Sequence, residues 1–402
     1  MALLGLPTFG LALAITTVST YLPTVAREFT TSTVTIGAVV GGEGMMALWV
    51  PLVVGPWSDQ LRTRIGGRLP FLLAAVPPIV VALIAMGALP GLGAIALAAA
   101  VFFFAYFVAY EPYRALYPDL LDDEAVAGRA QSTQAIWRGA GTGVALLAGG
   151  VLLSTARVVP FVLAALAVLT TVGAFAAIAL KRRFPEEEGK HEEAGVARHA
   201  ARLRQLIGAH PALRAYLVAN ALWEMALAAV KAFVVLYLTR GLGYSLVTAS
   251  LIVGGTGAII LVGAALAGKL GDWLGRARVM RVSLWIYGLG FLAPLLSTSK
   301  PVVAAAVPAI ALGGGAVMAL AYSLLIPLMP EDERGALTGF YSVSRGIGIT
   351  LGPVIAGVLI SLGANGPFEG TAGFQATWIV PVVSILASLP LVRTLERRHD
   401  RT

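Results

Sequence analysis

The sequence predicts an all-α membrane protein in which twelve transmembrane helices form two pseudo-symmetric six-helix bundles. Composition is the first reason: of 402 residues, 58% are hydrophobic and only 12% are charged, whereas about a quarter of an ordinary soluble domain is charged. The second reason is that apolar windows long enough to cross ~30 Å of hydrocarbon recur along the chain. The third is that one charged loop occurs twice, once in each half.

The apolar windows fall into two sets of six. In the first half of the chain they lie near residues 4–26, 34–56, 70–90, 92–113, 133–154 and 158–180. In the second half they lie near residues 214–238, 246–267, 280–298, 302–328, 338–362 and 374–394. Strands of a transmembrane barrel alternate in polarity and cross in about ten residues. These longer windows therefore predict helices, which satisfy their own backbone hydrogen bonds.

Basic residues predict the orientation in the membrane. Most of the 29 lysines and arginines follow even-numbered windows or lie in the C-terminal tail. Four lie in the opposite loops: Arg27, Arg157, Arg240 and Lys300. Because cytoplasmic loops carry the excess of basic residues, we expect both termini to be cytoplasmic and the protein to lie in a bacterial cytoplasmic (inner) membrane. Residues 1–26 lack a basic leader, so we expect them to be a span and not a cleaved signal peptide.

A polar stretch divides the chain. It begins at Lys181-Arg182-Arg183 and continues through Glu186-Glu187-Glu188. We therefore predict an N-terminal six-helix bundle at 1–183, a cytoplasmic linker at 184–211 and a C-terminal six-helix bundle at 212–402.

An internal repeat supports the two halves. The segment Gly55-Pro56-Trp57-Ser58-Asp59 is matched 213 residues later by Gly268-Lys269-Leu270-Gly271-Asp272. The segment Arg138-Gly139-Ala140-Gly141 is matched 207 residues later by Arg345-Gly346-Ile347-Gly348. Two matches at nearly equal offsets indicate a duplicated six-helix unit, which is how one large class of transporters is built.

The first copy of the repeated loop carries a family resemblance. It reads Gly55-Pro56-Trp57-Ser58-Asp59-Gln60-Leu61-Arg62-Thr63-Arg64-Ile65-Gly66-Gly67-Arg68 and is followed by Leu69-Pro70-Phe71. This loop resembles the signature loop of the major facilitator superfamily. Its ending, together with Pro112-Tyr113-Arg114-Ala115-Leu116, Pro118-Asp119-Leu120 and Arg129, is similar to the glycoside-pentoside-hexuronide:cation symporters and the sucrose transporters. Gly67 and Leu69 stand where the sucrose branch has arginines.

The resemblance implies a secondary active transporter that works by alternating access. The function we expect is proton-coupled symport of a sugar or similar polar organic solute, and the alternative is proton-coupled drug or multidrug efflux. The sequence leaves the substrate open. It has no Gly-x-x-x-x-Gly-Lys-[Ser/Thr] motif and no cysteine, so we expect neither an ATP-driven pump nor a thiolate metal site. Further alternatives are an intramembrane enzyme and a sensor with a transporter fold. The duplicated loop argues against both.

The repeated loops are predicted to form a cytoplasmic gate. In the first loop Asp59 precedes several arginines, and ion pairs there could hold neighbouring helix ends together. In the second loop Asp272 is followed by Arg276. The predicted gate residues are Gly55, Asp59, Arg62, Arg64, Arg68, Asp119, Arg129, Asp272 and Arg276. The alternative interpretation is that the arginines only fix the topology.

Charged residues inside the apolar windows are candidates for coupling, because each costs at least ~2.5–3.5 kcal/mol to insert. Three are acidic and are predicted to couple protons: Glu43, Glu111 and Glu224. Their predicted charge partners are Arg114, Arg138, Lys231 and Arg345. The alternatives are ion pairs that only fix the packing and, for Glu43, a protonated side chain that contributes only to packing. All four histidines lie outside the windows, so a carboxylate would have to carry the proton; Na⁺ stays open as the coupling ion.

Substrate contacts are predicted on the seventh window and beside the charges. Asn220, Glu224 and Lys231 share one face of a helix, because seven residues make nearly two turns. The neighbouring aromatic residues predicted to contact substrate are Tyr110, Trp137 and Trp223, although such rings also serve in packing. We expect a small-molecule substrate, a lipid bilayer environment, a monomer, and no cofactor, metal, nucleic acid or enzymatic activity.

Overall fold

The fold was analysed in a computed structural model, which describes residues 5–119, 124–180, 208, 210–328 and 334–399. These residues form twelve helices long and apolar enough to cross a membrane, and no strand occurs among them. The predicted fold class and the twelve predicted spans are confirmed.

The helices are numbered α1 to α12 in chain order. The first six are α1 Leu6–Ala26, α2 Thr33–Gln60, α3 Leu69–Ala88, α4 Leu92–Asp119, α5 Glu124–Thr155 and α6 Val159–Ala179. The second six are α7 Pro211–Leu236, α8 Leu246–Leu274, α9 Arg276–Leu296, α10 Lys300–Leu325, α11 Arg334–Gly363 and α12 Ile379–His399. A short π-helical turn, Tyr237–Gly241, extends α7, and two 3₁₀ turns, Glu369–Thr371 and Phe374–Trp378, precede α12.

Several helices are longer than the apolar windows that predicted them. Helix α5 begins at Glu124 instead of near residue 133, and α4 continues to Asp119. The additional turns are polar, so a hydropathy window ends before they begin, although their backbone continues the same hydrogen-bonding pattern. Hydropathy therefore gives the length of the apolar span, whereas the helix itself extends further.

The chain divides into two compact units. The first unit comprises Met1–Thr31, Met46–Lys190 and Ser245–Gly254, and the second comprises Ser32–Met45, His191–Tyr244 and Gly255–Thr402. The division falls inside α2, after Met45, and inside α8, after Gly254. The predicted bundle bounds at 1–183 and 212–402 stay a prediction, and residues 184–207 of the predicted linker lie outside the described residues.

In the first unit, α1 is the central helix. It packs against α5 and α6, while α3 packs against α4 and α6. Glycines allow the backbones to approach: a Cβ atom on Gly10 would lie 2.8 Å from the carbonyl oxygen of Ala167, and one on Gly141 would overlap the carbonyl oxygen of Phe9. Close contact through small residues is the usual way in which transmembrane helices associate.

Arg157, just before α6, joins three parts of the first unit. Its Nε donates to the carbonyl oxygen of Gly87 at 2.8 Å and its Nη2 to that of Leu89 at 3.0 Å. Its Nη1 lies 3.5 Å from Oε2 of Glu28, and its guanidinium lies over the ring of Phe29. A cation at a helix C-terminus satisfies carbonyl groups that have no partner within the helix. Arg157 therefore caps α3 and fixes the connection between α1 and α2.

We expect Arg157→Ala to destabilise the first unit by about 1–3 kcal/mol, because it removes two charge-assisted hydrogen bonds from the end of α3. The measurement is the apparent melting temperature of the detergent-purified protein. Arg240→Ala, at an exposed arginine at the end of α7, is the matched control. Equal melting temperatures for the Arg157 variant and the unmodified protein would contradict the capping role.

Candidate functional site

The first part of α2 packs against α11 within the second unit. A Cβ atom on Gly41 would lie 2.8 Å from the carbonyl oxygen of Thr350, and one on Gly37 would overlap the carbonyl oxygen of Pro353. A side chain on Gly44 would overlap the backbone of α11 between Gly346 and Thr350. These glycines recur every three or four residues, which places them on one face of α2. The two backbones therefore run in direct contact.

Helix α11 makes a second close contact, with α7. A Cβ atom on Gly348 would overlap the carbonyl oxygen of Ala221 and lie 2.9 Å from the Cβ of Glu224. One turn further on, a Cβ on Gly352 would overlap the carbonyl oxygen of Met225. Helix α11 thus has one glycine face against α2 and another against α7.

Four charged side chains lie where these glycine contacts occur. Nζ of Lys231 on α7 is 3.8 Å from Oε2 of Glu43 on α2. Nε of Arg345 on α11 is 3.3 Å from Oε1 of Glu224 on α7. Glu43 and Lys231 are also close enough to Glu224 for their charges to act on it. We call Glu43, Glu224, Lys231 and Arg345 the charge network.

Burial of the charge network is uneven. The side chain of Glu43 is 9% exposed and that of Glu224 is 17% exposed, whereas those of Lys231 and Arg345 are 30% and 36% exposed. The carboxylates therefore lie deeper than the bases. Glycine neighbours explain the placement: Gly44 follows Glu43 and touches α11, and Gly348 packs directly against the Cβ of Glu224.

Polar groups continue the charge network along α7. Nδ2 of Asn220 donates to Oγ of Ser344 on α11 at 2.8 Å, and both residues are buried. The rings of Tyr216 on α7 and Tyr287 on α9 are near enough to Glu224 to interact with its charge. Sequence patterns did not single out Ser344 or Tyr287, because neither residue type is unusual inside a membrane helix. The glycine spacing of α2 could have indicated its contact with another helix.

The charge network can exchange a proton for an ion pair. Two carboxylates and two bases have no net charge when all are ionised, which lowers the cost of holding them inside a membrane. Protonation of either carboxylate breaks one pair and leaves a base without its counter-charge.

Trp223 packs inside the second unit. It is 3% exposed, its Nε1 donates to Oγ of Ser388 on α12 at 2.9 Å, and its ring contacts Tyr216 edge-on. The indole N–H already has a partner in α12. The predicted substrate contact of Trp223 stays a prediction, and its observed contacts are those of a packing residue.

The predicted residues of α4 and α5 lie in the first unit. The guanidinium of Arg138 lies 4.9 Å from the ring centroid of Tyr110, which is stacked on Tyr106. Cation–π contact of this kind holds an arginine in a largely apolar environment. Trp137 packs edge-on against Phe9 of α1.

Glu111 and Arg114 lie on α4 near its end at Asp119, with Glu111 half-buried and Arg114 exposed. They are one turn apart on the same helix. The predicted role of Arg114 as a charge partner, and the coupling role of Glu111, stay predictions.

The first predicted gate loop follows α2. Thr63 Oγ1 donates to the carbonyl oxygen of Gly66 at 2.5 Å, and Gly66 has a positive φ of 84°. A Cβ atom on Gly67 would lie 2.6 Å from the carbonyl oxygen of Ser58, so this loop has no room for a side chain at that position. The arginine that the sucrose branch carries here would require a different loop conformation.

The remaining gate residues have varied surroundings. Arg62 and Arg64 are exposed and Arg68 is half-buried, and a Cβ atom on Gly55 would meet open space. The side chains of three further predicted gate residues lie outside the described part of the structure: Asp59, Asp119 and Arg129.

In the second gate loop, Arg276 Nη2 lies 3.6 Å from Asp272 Oδ1, and the two side chains are 47% and 68% exposed. Such an exposed pair contributes little to stability. Gly275 between α8 and α9 has a positive φ of 87°, which lets the chain reverse in a single residue.

Comparison with known proteins identifies the family. The sequence pattern of the Major Facilitator Superfamily matches residues 4–276 and again residues 225–402. The chain therefore belongs to the Major Facilitator Superfamily, and it is a multi-pass membrane transporter of that type.

Curated relatives match only in part. An uncharacterized MFS-type transporter of Bacillus subtilis, YfiU, is 30% identical over 95 residues, which are 24% of this chain and 18% of that protein. Multidrug resistance protein 3 of Bacillus subtilis is 28% identical over 102 residues, which are 25% of this chain and 20% of that protein. The matched segments thus span at most about a fifth of these relatives.

Solved structures are similar over nearly the whole chain. A bacterial homologue of the human lysosomal transporter Spinster, in an inward-facing and occupied conformation, superposes with a TM-score of 0.79 at 15% identity, covering 98% of this chain and 96% of that one. The nucleoside transporter NupG superposes with a TM-score of 0.74 at 14% identity, covering 98% of both chains. At these identities the similarity concerns the fold.

We expect Gly348→Ala to push α11 away from α7 and to cost about 1–3 kcal/mol, because the added methyl group overlaps backbone atoms. The apparent melting temperature in detergent should fall. Gly255→Ala is the matched control, since a Cβ atom there meets nothing within 4 Å. If both variants melted at the temperature of the unmodified protein, the close contact of α7 with α11 would be refuted.

Proposed function

We propose that this chain is a secondary active transporter that couples the movement of protons to that of a small organic solute by alternating access. The observation that carries the proposal is the charge network of Glu43, Glu224, Lys231 and Arg345, whose two carboxylates are the more buried members, where α2, α7 and α11 meet. Membership of the Major Facilitator Superfamily supplies the transporter class. The coupling ion and the solute are parts of the proposal.

The coupling follows from charge balance. When both pairs are intact, the charge network is neutral and each base is held by a carboxylate. When a proton binds Glu43 or Glu224, the partner base regains its donors and a solute with acceptor oxygens can replace the lost carboxylate. Binding of proton and solute would then favour each other. The direct contacts of α11 with α2 and α7 would transmit the change, because packed backbones shift together.

A sugar or similar polar solute is the substrate we favour. Lys231 and Arg345 are the more exposed members of the charge network, and both can donate hydrogen bonds to hydroxyl oxygens. The first gate loop and the end of α4 resemble the glycoside-pentoside-hexuronide:cation symporter and sucrose transporter branch. That branch assignment is part of the proposal, and the lack of space at Gly67 is its clearest departure.

Proton-coupled drug efflux is the second candidate. One curated relative is a multidrug resistance protein, 28% identical over 102 residues. In efflux the same charge network would release its proton as a drug binds, so the proton and the solute would cross in opposite directions.

Placement in the cell completes the proposal. The positive-inside distribution of basic residues and the family are the basis for this placement. We expect the protein to lie in a bacterial inner membrane with both termini cytoplasmic, as a monomer and without a cofactor. The predicted gate loops would then lie on the cytoplasmic side.

The test is transport by purified protein in liposomes that contain a pH indicator. A sugar panel and a panel of cationic drugs are added outside, with and without an imposed pH gradient. We expect a sugar to drive proton entry, and this proton signal to fall at least tenfold in Glu224→Gln and in Glu43→Gln, because neither amide can carry a proton. Glu369→Gln, in the exposed segment before α12, should behave as the unmodified protein.

The outcomes separate the candidates. Proton exit driven by drugs and no response to sugars would replace symport with efflux. Full proton coupling in both glutamine variants would refute the role of the charge network, whichever solute moved, and Glu111→Gln would then be the next variant to measure.

A further inference from the structure

An apolar groove runs along the first unit between α2, α3 and α4. It encloses about 530 Å³, a size typical of small-molecule sites. Its walls carry only apolar and aromatic side chains, among them Met46, Trp49, Val53, Trp57, Leu61 and Ala74. Nothing in the proposed coupling uses this groove.

The groove is open along the exposed face of α2. Trp49, Val53 and Trp57 are 64%, 62% and 57% exposed, and their spacing of four residues places them on one side of the helix. Trp57 also meets Phe71 edge-on, with the ring centroids 5.0 Å apart. Because α2, α3 and α4 are all apolar enough to cross a membrane, an open face with only apolar side chains is suited to contact with lipid.

The length of the groove matches one leaflet. Its lining along α2 and the residue that follows it runs from Met46 to Leu61, which is ~22 Å at ~1.5 Å per residue. Half of a hydrocarbon core of ~30 Å is ~15 Å, and the headgroup region adds several ångströms. The groove thus extends from near the middle of the bilayer to the surface at which α2 joins α3.

Positive charge lies at the surface end of the groove. Leu61 lines the groove, and the next residue, Arg62, is exposed, as is Arg64. Basic residues immediately beside a transmembrane helix attract anionic lipid headgroups. One turn before Leu61, Trp57 is the residue type that membrane interfaces favour.

We propose that this groove binds an anionic phospholipid, with an acyl chain along α2 and the phosphate at Arg62 and Arg64. The apolar walls have no polar group to orient a solute, so they suit a hydrocarbon chain. The arginines supply the preference for a negative headgroup. The site is built only from residues of the first unit, whereas the charge network belongs to the second unit.

Native mass spectrometry of the purified full-length protein tests the proposal, with phosphatidylglycerol and phosphatidylcholine added in equal amounts. We expect one phosphatidylglycerol to bind at least tenfold more tightly than phosphatidylcholine. Two changes should each weaken phosphatidylglycerol binding about tenfold or more: Ala74→Phe, which fills the groove, and the double variant Arg62→Gln/Arg64→Gln, which removes the headgroup partners.

Matched controls distinguish this site from general attraction to lipid. Ala177→Phe adds the same ring at an exposed position of α6. Lys269→Gln/Arg278→Gln removes two exposed charges at the second gate loop. Both controls should bind phosphatidylglycerol as the unmodified protein does. Equal binding of the two lipids, or equal losses in the control and groove variants, would overturn the proposal.

A second measurement does not depend on those variants folding. In liposomes of phosphatidylcholine with a trace of brominated phosphatidylglycerol, the bromines should quench tryptophan fluorescence more than the same trace of brominated phosphatidylcholine does. The excess should disappear in Trp49→Phe/Trp57→Phe and persist in Trp273→Phe/Trp285→Phe, which changes two exposed tryptophans of the second unit. An excess that persisted without the groove tryptophans would place the lipid elsewhere.

Discussion

The need to pair charges inside a membrane governs the second unit. A single ionised group costs several kcal/mol in hydrocarbon, so a charge is retained there only with a partner. Glu43, Glu224, Lys231 and Arg345 supply two acids and two bases on three helices. The helices that carry them must therefore stay close enough for the ion pairs to form. This requirement explains why α11 has a glycine face towards each of its two neighbours.

Glycine contacts bring the helices of the charge network close together. Because Gly44 and Gly348 have no side chain, backbone atoms of α2 and α7 lie directly against α11. A change in the distance between these helices therefore acts directly on backbone contacts. Protonation of a carboxylate alters the force between two helices that are already in contact. In such packing a small displacement at one position is transmitted along the helix. By contrast, the exposed pair of Asp272 and Arg276 can reorganise in water at little cost.

Hydropathy and repetition predicted the fold from the sequence, because the bilayer imposes a length and a polarity on each span. The ends of helices such as α5 were not predictable from hydropathy, since the added turns are polar. Within the site, the sequence indicated that Lys231 and Arg345 are charge partners for buried carboxylates. It could not assign the pairs: seven residues place Glu224 and Lys231 on one face of α7, yet the ion pair of Lys231 is with Glu43. Residue spacing shows on which face of a helix a side chain lies. It does not show which other helix packs against that face.

The central claim, that the charge network couples protons to solute and does not only fix packing, is tested most directly by removing a complete pair. The double variant Glu224→Gln/Arg345→Gln keeps the site neutral, so no unpaired charge remains to disturb insertion or folding. The measurement is the number of protons moved per solute molecule in liposomes. The account predicts that solute still exchanges across the membrane, more slowly because the Arg345 donor is lost, while the proton count falls at least tenfold. An unchanged proton count in this variant would contradict it.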